Sequence, residues 1–458
     1  MFEGRTQKPV IQSDRCHSCD VCIRGCPAEF IPEYRREEKS LRGTLYRGNL
    51  LKKPARGRVS LPPCQEACPI HQDIPGYVAL ISKRKFKEAL ELIREVNPLP
   101  AVCGFVCHHP CEEACLREGV DHPIPIRLLK RFVAEYERKR IGKKVLKKRR
   151  EKVLVIGSGP AGLTAANDLT LLGFGVTVFE ALPVLGGMLA VGIPEFRLPR
   201  EILRMEIDGI RGLGVDMIPN RTFQFDDHGK RFRKMGYHAA FLATGAHRSL
   251  RLNIPGEKLK GVFPGVEFLR DLNLGKKMGL GKEVVVIGGG NVAVDVARSS
   301  LRLGARKVSL FYRRSRKEMP AIPEEVDAAL REGVKIHFLA SPLRLIGPDG
   351  RVSGMECVRN RLGEPDGSGR RRPVAMKGSN FRVGADTVIS ATGQRVDPRP
   401  LKGLQTNRDG TIWIDPETNE TSVKGFFSGG DVVTGPGWVI DAIAAGKKGA
   451  VSIYRYLT

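Results

Sequence analysis

Over the first third of the chain, apolar residues recur at helical spacing across residues 74–96 (IPGYVALISKRKFKEALELIREV) and again across 124–141. The pattern predicts helices there, separated by loops around residues 97–115. Farther along, the periodicity gives way to short apolar runs. One at 152–156 and another at 283–287 predict buried strands, the second preceded by a turn-rich segment at 253–265.

Each of these two strands runs directly into a glycine-rich turn and then into a helix pattern. In VLVIGSGPAGLTAA, Gly157 permits a tight turn, Gly159 lets the backbone approach a pyrophosphate, and Gly162 allows close helix packing. The next apolar strand, VTVFE, ends at Glu180, whose carboxylate is placed to accept hydrogen bonds from a ribose, as in the adenosine half of FAD or NAD. In EVVVIGGGNVAVDVA the glycine positions fall to Gly288, Gly290 and Ala293, the last a tiny side chain still tolerated at helix contact. The following strand ends not in a carboxylate but in Arg313 and Arg314, with Arg316 nearby. Guanidinium groups there suit a 2′-phosphate, so NADPH is expected over NADH. The motif ATGQ at 391–394 and GGD at 429–431 predict that the chain returns to complete the first nucleotide unit. The expected fold class is therefore α/β, a helical domain, which the cysteines below make an iron-sulfur domain, followed by two interleaved Rossmann-like FAD/NAD(P)-binding domains. The expected bounds are 1–60 for a cysteine-rich ferredoxin-like extension and 61–150 for the helical domain. The FAD-binding domain takes 151–282 with 381–458, and the NADPH-binding domain takes 283–380.

The helical assignment gains chemistry from its cysteines. Ten of the eleven cysteines lie in the first 115 residues, at Cys16, Cys19, Cys22, Cys26, Cys64, Cys68, Cys103, Cys107, Cys111 and Cys115. A disulfide framework and structural zinc are the other uses of such a set. Disulfide frameworks belong mainly to small secreted domains, and the large nucleotide units that follow favour iron-sulfur clusters, whose iron takes soft thiolate ligands. Cys357 stands alone and reads as a small buried residue. The 76 Lys and Arg against 50 Asp and Glu give a formal charge of +26, dense over 138–150 (RKRIGKKVLKKRR). No recognition motif accompanies that charge, so a solvated face or an acidic redox partner is expected rather than nucleic acid. The opening MFEGRTQKPV lacks the apolar core of a signal peptide, and no run approaches a membrane span, so a cytoplasmic protein without a transmembrane segment is expected.

Further segments make the chain resemble the small subunit of glutamate synthase and its relatives, including the amino-terminal half of dihydropyrimidine dehydrogenase. They are CPIHQDIPGY (68–77), NPLPAVCGFVCHHPCEEAC (97–115), GGMLAVGIPEFRLP (186–199), IPGE (254–257) and SGGDVVTGPGWVIDAIAAGKKGA (428–450). The resemblance implies FAD in the first nucleotide unit, NADPH in the second and [4Fe-4S] clusters in the helical part. It implies that Gly187 and Met188 run near the flavin and that Gly430 and Asp431 of the GGD motif contact its ribityl chain or pyrophosphate. The helix beginning at Val439 would then aim its N-terminus at the flavin ring. The implied chemistry is hydride transfer from nicotinamide to flavin, followed by one-electron steps to a larger catalytic reductase subunit in a hetero-oligomer, or to ferredoxin, with no side-chain base required. One departure from the family is the segment LKKPARGRVSLPP before Cys64, where a Cys-x2-Cys pair is usual, together with the upstream run Cys16 to Cys26. The expected assignment gives one cluster to Cys68, Cys103, Cys107 and Cys111, and places Cys64 and Cys115 in a second with ligands from the upstream run. His17, His71, His108, His109 and Glu112 lie nearby as further candidates. The second nucleotide unit has no Cys-x2-Cys pair, which disfavours dithiol chemistry.

Overall fold

The computed structural model describes residues 61–136, 145–225, 230–397 and 403–458 of the chain. Cys16, Cys19, Cys22 and Cys26 lie outside them, as does much of the basic segment at 138–150.

Two five-stranded parallel sheets carry the glycine motifs. In the first, the order is Phe426–Ser428, Ala239–Leu242, Lys152–Ile156, Gly175–Phe179 and Asp216–Ile218. In the second it is Val262–Pro264, Thr387–Ser390, Glu283–Ile287, Lys307–Tyr312 and Lys335–Phe338. Each glycine turn thus follows the central strand of its sheet, at the carboxyl end where open α/β sheets bind ligands. Both central strands read as continuous apolar runs because neighbours and helices cover both their faces. A three-stranded antiparallel sheet, Ala340–Ile346, Gly354–Pro365 and Arg371–Gly384, is appended to the second unit and buries Cys357.

The division of the chain differs from the sequence bounds in one respect. Val262–Pro264 and Thr387–Ser390, expected in the first nucleotide unit, pair with each other and extend the second sheet. ATGQ, which directly follows Thr387–Ser390 and is expected to mark the return to the first unit, instead begins against the second glycine turn, with the Ala391 carbonyl beside Gly288; the runs themselves are short, so only the pairing assigns them. Phe426–Ser428 does return to the first sheet, beside Ala239–Leu242.

The helical part also differs in detail. The continuous pattern at 74–96 is two helices, Ile74–Ser82 and Phe86–Arg94, separated where Arg84 takes a left-handed φ of 55°. The segment 97–115, expected as loops, contains the helices Pro100–Val106 and Pro110–Glu113, each with proline at its first position, where the missing N–H costs nothing. The next helix, Ile126–Tyr136, turns Ile126, Lys130, Val133 and Ala134 inward. One continuous apolar core joins this helical part to the first nucleotide unit, including Cys68, Cys103, Cys107 and Cys111 alongside Leu203, Ile207 and Ile440. Among the described residues no helix is long and apolar enough to cross a membrane.

Candidate functional site

The two glycine turns have the same geometry. A Cβ on Gly157, at φ +105°, would lie 2.3 Å from the Ala243 carbonyl oxygen, and one on Gly162 would lie 1.9 Å from that of Gly157. A Cβ on Gly288 would lie 2.2 Å from the carbonyl oxygen of Ala391, and Ala293 is fully buried beneath it. At Gly159 and Gly290, by contrast, a Cβ would meet nothing within 4 Å. Both turns are crowded on the protein side and open on the outer side. The helices that follow, Pro160–Leu171 and Asn291–Arg302, have no side-chain cap on their first N–H groups. Unpaired N–H groups and a positive helix end beside an open backbone fit the pyrophosphate of a dinucleotide.

Around the first turn, buried Glu180 accepts from the Ser158 backbone N–H (2.9 Å) and hydroxyl (2.5 Å) through Oε2, and from the Leu182 N–H (2.9 Å) through Oε1. Ser158 Oγ in turn accepts from the Gly186 N–H at 2.9 Å. The sequence reading missed Ser158, which locks Glu180 to the loop that carries Gly187 and Met188. Gly187 lies against the turn, since its Cβ would come within 2.8 Å of the Gly159 Cα. Met188 opens the short helix Met188–Val191. The buried Thr244 hydroxyl, next to the Gly157 contact at Ala243, has no hydrogen-bond partner. Gly430, at φ +78°, packs on Ala161, and Asp431 accepts from the Gly437 N–H at 3.2 Å. Burial, aided by the nearby Asp441 charge, pushes Asp431 up to about 6. Val439 begins the helix Val439–Leu457, capped by Trp438 without a side-chain hydrogen bond.

The two arginines after the second turn diverge. Arg313 is exposed, whereas Arg314 is 2% exposed and paired with Asp366, from the turn between two strands of the antiparallel sheet. Arg316 bonds to Asp327. Buried Arg197, from the 186–199 segment, pairs with Asp295 at 2.8 Å and Glu325 at 3.1 Å, joining the first unit to the helix behind the second glycine turn. A cavity of about 880 Å³ lies between the helices Arg200–Arg211 and Asn291–Arg302, and neither a cysteine nor either glycine turn lines it.

Cys68, Cys103, Cys107 and Cys111 are buried free thiols and Cys115 is half-buried. Burial raises the pKa values of Cys103 and Cys107 and pushes Cys111 up to about 12, so ionising them calls for a partner cation. Burial opposes the charge on Lys130 inside the helix Ile126–Tyr136, yet Cys103, Cys107, Cys68 and Cys111 together raise its pKa. The Tyr77 hydroxyl is fully buried without a partner; burial first, then Cys111, Cys68, Cys64 and Cys107, raises its pKa well above the usual value. Cys68, Cys107 and Cys111 belong to both neighbourhoods. The Cys103 thiol points to Asn97 Oδ1 at 3.9 Å, while Cys107 and Cys115 sulfurs accept from the His109 and Ile124 N–H groups at 3.4 and 3.5 Å. No three His, Cys, Asp or Glu groups among the described residues converge on a single metal-ion position. A cubane, however, takes each thiolate on a different iron. A buried ammonium, an unpaired hydroxyl and N–H donors to sulfur fit that negatively charged group. Of the other candidates, Glu112 accepts from the Arg127 N–H at 2.6 Å, and His71 Nδ1 lies 3.2 Å from the Gln65 carbonyl oxygen, both local structural contacts.

The helix Pro100–Val106 is joined to the first nucleotide unit at both ends. Buried Glu206 accepts from the Ala101 and Val102 N–H groups at 2.9 and 3.1 Å, and His108 stacks on Trp438 with centroids 4.4 Å apart and planes 19° apart.

Comparison with known proteins agrees with this arrangement. Residues 151–446 match the pyridine nucleotide-disulphide oxidoreductase family, and residues 58–141 match dihydropyrimidine dehydrogenase domain II, 4Fe-4S cluster. The NADP(+)-dependent formate dehydrogenase subunit beta of Moorella thermoacetica is 48% identical over 88% of this chain, which spans only 62% of that protein's length. The glutamate synthase [NADPH] small chain of Escherichia coli K12 is 36% identical over 86% of this chain and 89% of its own length. Mycobacterium tuberculosis FprA in complex with NADPH shares the fold, with a TM-score of 0.57 at 23% identity over 68% of this chain and 85% of its own. With the glycine turns, the buried cysteines and these matches together, the chain belongs to the FAD- and NAD(P)H-linked iron-sulfur oxidoreductases related to the small subunit of glutamate synthase.

Proposed function

We propose that this chain is an electron-input subunit that takes a hydride from NADPH at the second glycine turn and passes electrons toward a catalytic partner subunit. The observation that carries the reading is the single apolar core shared by the cysteine-bearing helices and the first nucleotide unit, which supports a short route between the two. When bound, FAD supplies a two-electron acceptor that releases electrons singly, and [4Fe-4S] clusters supply one-electron carriers.

The residues divide the work. Gly157, Gly159 and Gly162 hold the FAD pyrophosphate, with Glu180 at the ribose, Gly187 and Met188 beside the flavin, Gly430 and Asp431 at its phosphate-linked chain and the Val439 helix end facing its ring. Gly288, Gly290 and Ala293 hold the NADPH pyrophosphate, and exposed Arg313 receives the 2′-phosphate. Arg314, tied to Asp366, shapes that loop. Cys68, Cys107 and Cys111 form the nucleus of one cluster, with Cys103 as the fourth ligand expected from spacing. Cys64 and Cys115 serve a second with the upstream run. The formate dehydrogenase relative bears NADP(+) and "subunit beta" in its name, which supports both the coenzyme and a hetero-oligomeric partner.

The deciding experiment is anaerobic purification, iron and flavin counting, and stopped-flow mixing with NADPH. Bound FAD, at least about four irons per chain and flavin bleaching followed by cluster reduction are expected. Absence of flavin, or fewer irons after reconstitution, would reject the reading. Efficient delivery to free ferredoxin without a partner subunit would move the acceptor from a subunit to ferredoxin.

A further inference from the structure

The iron-sulfur helices and the flavin unit meet at both ends of one short helix, Pro100–Val106. At its start, the Glu206 carboxylate takes the N–H groups of Ala101 and Val102. At its end, the chain passes through Cys107 to His108, whose imidazole lies nearly parallel to the Trp438 indole at 4.4 Å. Trp438 immediately precedes Val439, the first residue of the helix assigned to the flavin ring. The indole packs against the core that contains Cys68, Cys103, Cys107 and Cys111, and His108 Nδ1 is buried without a hydrogen-bond partner. One proposed cluster ligand and one proposed flavin-facing residue are thus each a single peptide bond away from a pair of stacked rings.

Resting on the electron-input reading above, we propose that the His108–Trp438 stack is the bridge by which electrons pass between the flavin unit and the cluster held by Cys107, with Trp438 the positioning residue for that step. Electron tunnelling falls off less steeply through packed and bonded atoms than across a gap, and the stack replaces a gap between two units with ring-to-ring contact. When bound and reduced by NADPH, the flavin would supply one electron to one ferric centre of the cluster, which becomes ferrous, with no bond formed or broken. A second electron would follow once the cluster has passed the first onward, with the hydride-derived proton released from the flavin to solvent.

The test uses the full chain with its cofactors, mixed anaerobically with NADPH. Flavin absorbance reports the hydride step, and freeze-quenched paramagnetic resonance reports the reduced cluster. The quantity read is the ratio of the second rate to the first. Trp438→Ala is expected to lower that ratio at least about tenfold, the equivalent of about 1.4 kcal/mol of barrier, with iron content retained. Trp438→Phe is expected to recover most of it, His108→Ala to reproduce the loss, and the double variant to add little to either single change. An unchanged ratio in Trp438→Ala overturns the proposal, as does a Phe variant as slow as the Ala variant. Loss of iron in both alanine variants overturns it in favour of a role in holding the cluster. Failure of the wild-type cluster to be reduced at all is a separate result that rejects the electron-input reading, and the bridge with it.

Discussion

The two adjacent arginines after the second glycine turn look equivalent in the sequence and are not equivalent in the fold. Arg314 is consumed by Asp366, a partner 52 residues away in the chain whose approach no local pattern announces. Arg313 keeps its guanidinium exposed. Arg313→Ala is therefore expected to weaken NADPH use about tenfold or more, the worth of one charge-assisted phosphate contact at roughly 1.5–3 kcal/mol, and to leave NADH use unchanged. Arg314→Ala is expected to lower thermal stability instead; steady-state kinetics with both coenzymes beside a melting curve separates the two. The glycines were legible because their requirement is backbone geometry, carried by residue type alone. The Ser158 link to Glu180 was not, because any small residue fits between the glycines of the motif. Asp431 gives a pH signature. Its folded pKa, raised by burial to about 6, exceeds the ordinary carboxyl value of 3.8, so the stability tied to its protonated form is full below about pH 4 and lost as pH rises through 6. In flavin-free protein, Asp431→Asn should match wild type near pH 3.5 and exceed it by up to about 3 kcal/mol at pH 7, as two pKa units imply. Denaturant titrations across that range would show it, and a constant difference would refute it. With FAD present, the same variant should retain less flavin on gel filtration.

At the scale of elements, the apolar pattern located the central strands and the helical part but misread how the cysteine segment is built. The helices within residues 97–115 are only seven and four residues long, too short for a helical stripe to stand out, and the first of them is capped from outside the segment. Glu206, which lies more than a hundred residues further along in the helix Arg200–Arg211, supplies the cap that Pro100–Val106 lacks locally. Similarly, Glu112 accepts the Arg127 N–H at the start of Ile126–Tyr136. Caps of this kind follow tertiary contact and leave no trace in the neighbouring sequence. Glu206→Ala would leave two buried N–H groups unpaired, at about 1–3 kcal/mol each. The expected result is a lower unfolding midpoint together with faster loss of iron on dilution in air, since the same helix leads to Cys107. Normal cluster lifetime in a destabilised Glu206→Ala protein would show that the cap holds the fold without holding the cluster.

For the whole molecule, the order of parts along the chain matches an order of contacts. The second nucleotide unit is tied to the first by the buried Arg197–Asp295 pair, and the first is tied to the cysteine helices by Glu206 and by the His108–Trp438 stack. The sequence order anticipated that arrangement, while the exchange of Val262–Pro264 and Thr387–Ser390 between sheets depended on strand pairing across more than a hundred residues. The upstream run of Cys16, Cys19, Cys22 and Cys26 lies outside the described residues, and its proposed place in this order rests on spacing and ligand count. Its spacing suits a further cubane, and Cys64 and Cys115 do not make four ligands by themselves. Hydride transfer needs only the two nucleotide units, so replacing Cys16, Cys19 and Cys22 together with serine should leave NADPH bleaching of the flavin within about twofold, well under 1 kcal/mol of barrier. Delivery to the partner subunit should fall sharply, and iron should drop by about four atoms, one cubane, per chain. Isolating the native complex anaerobically and comparing wild type with the triple variant in single-turnover transfer tests all three expectations at once. Normal onward transfer with unchanged iron would remove the upstream run from the path and leave the clusters at Cys64 to Cys115 as the exit.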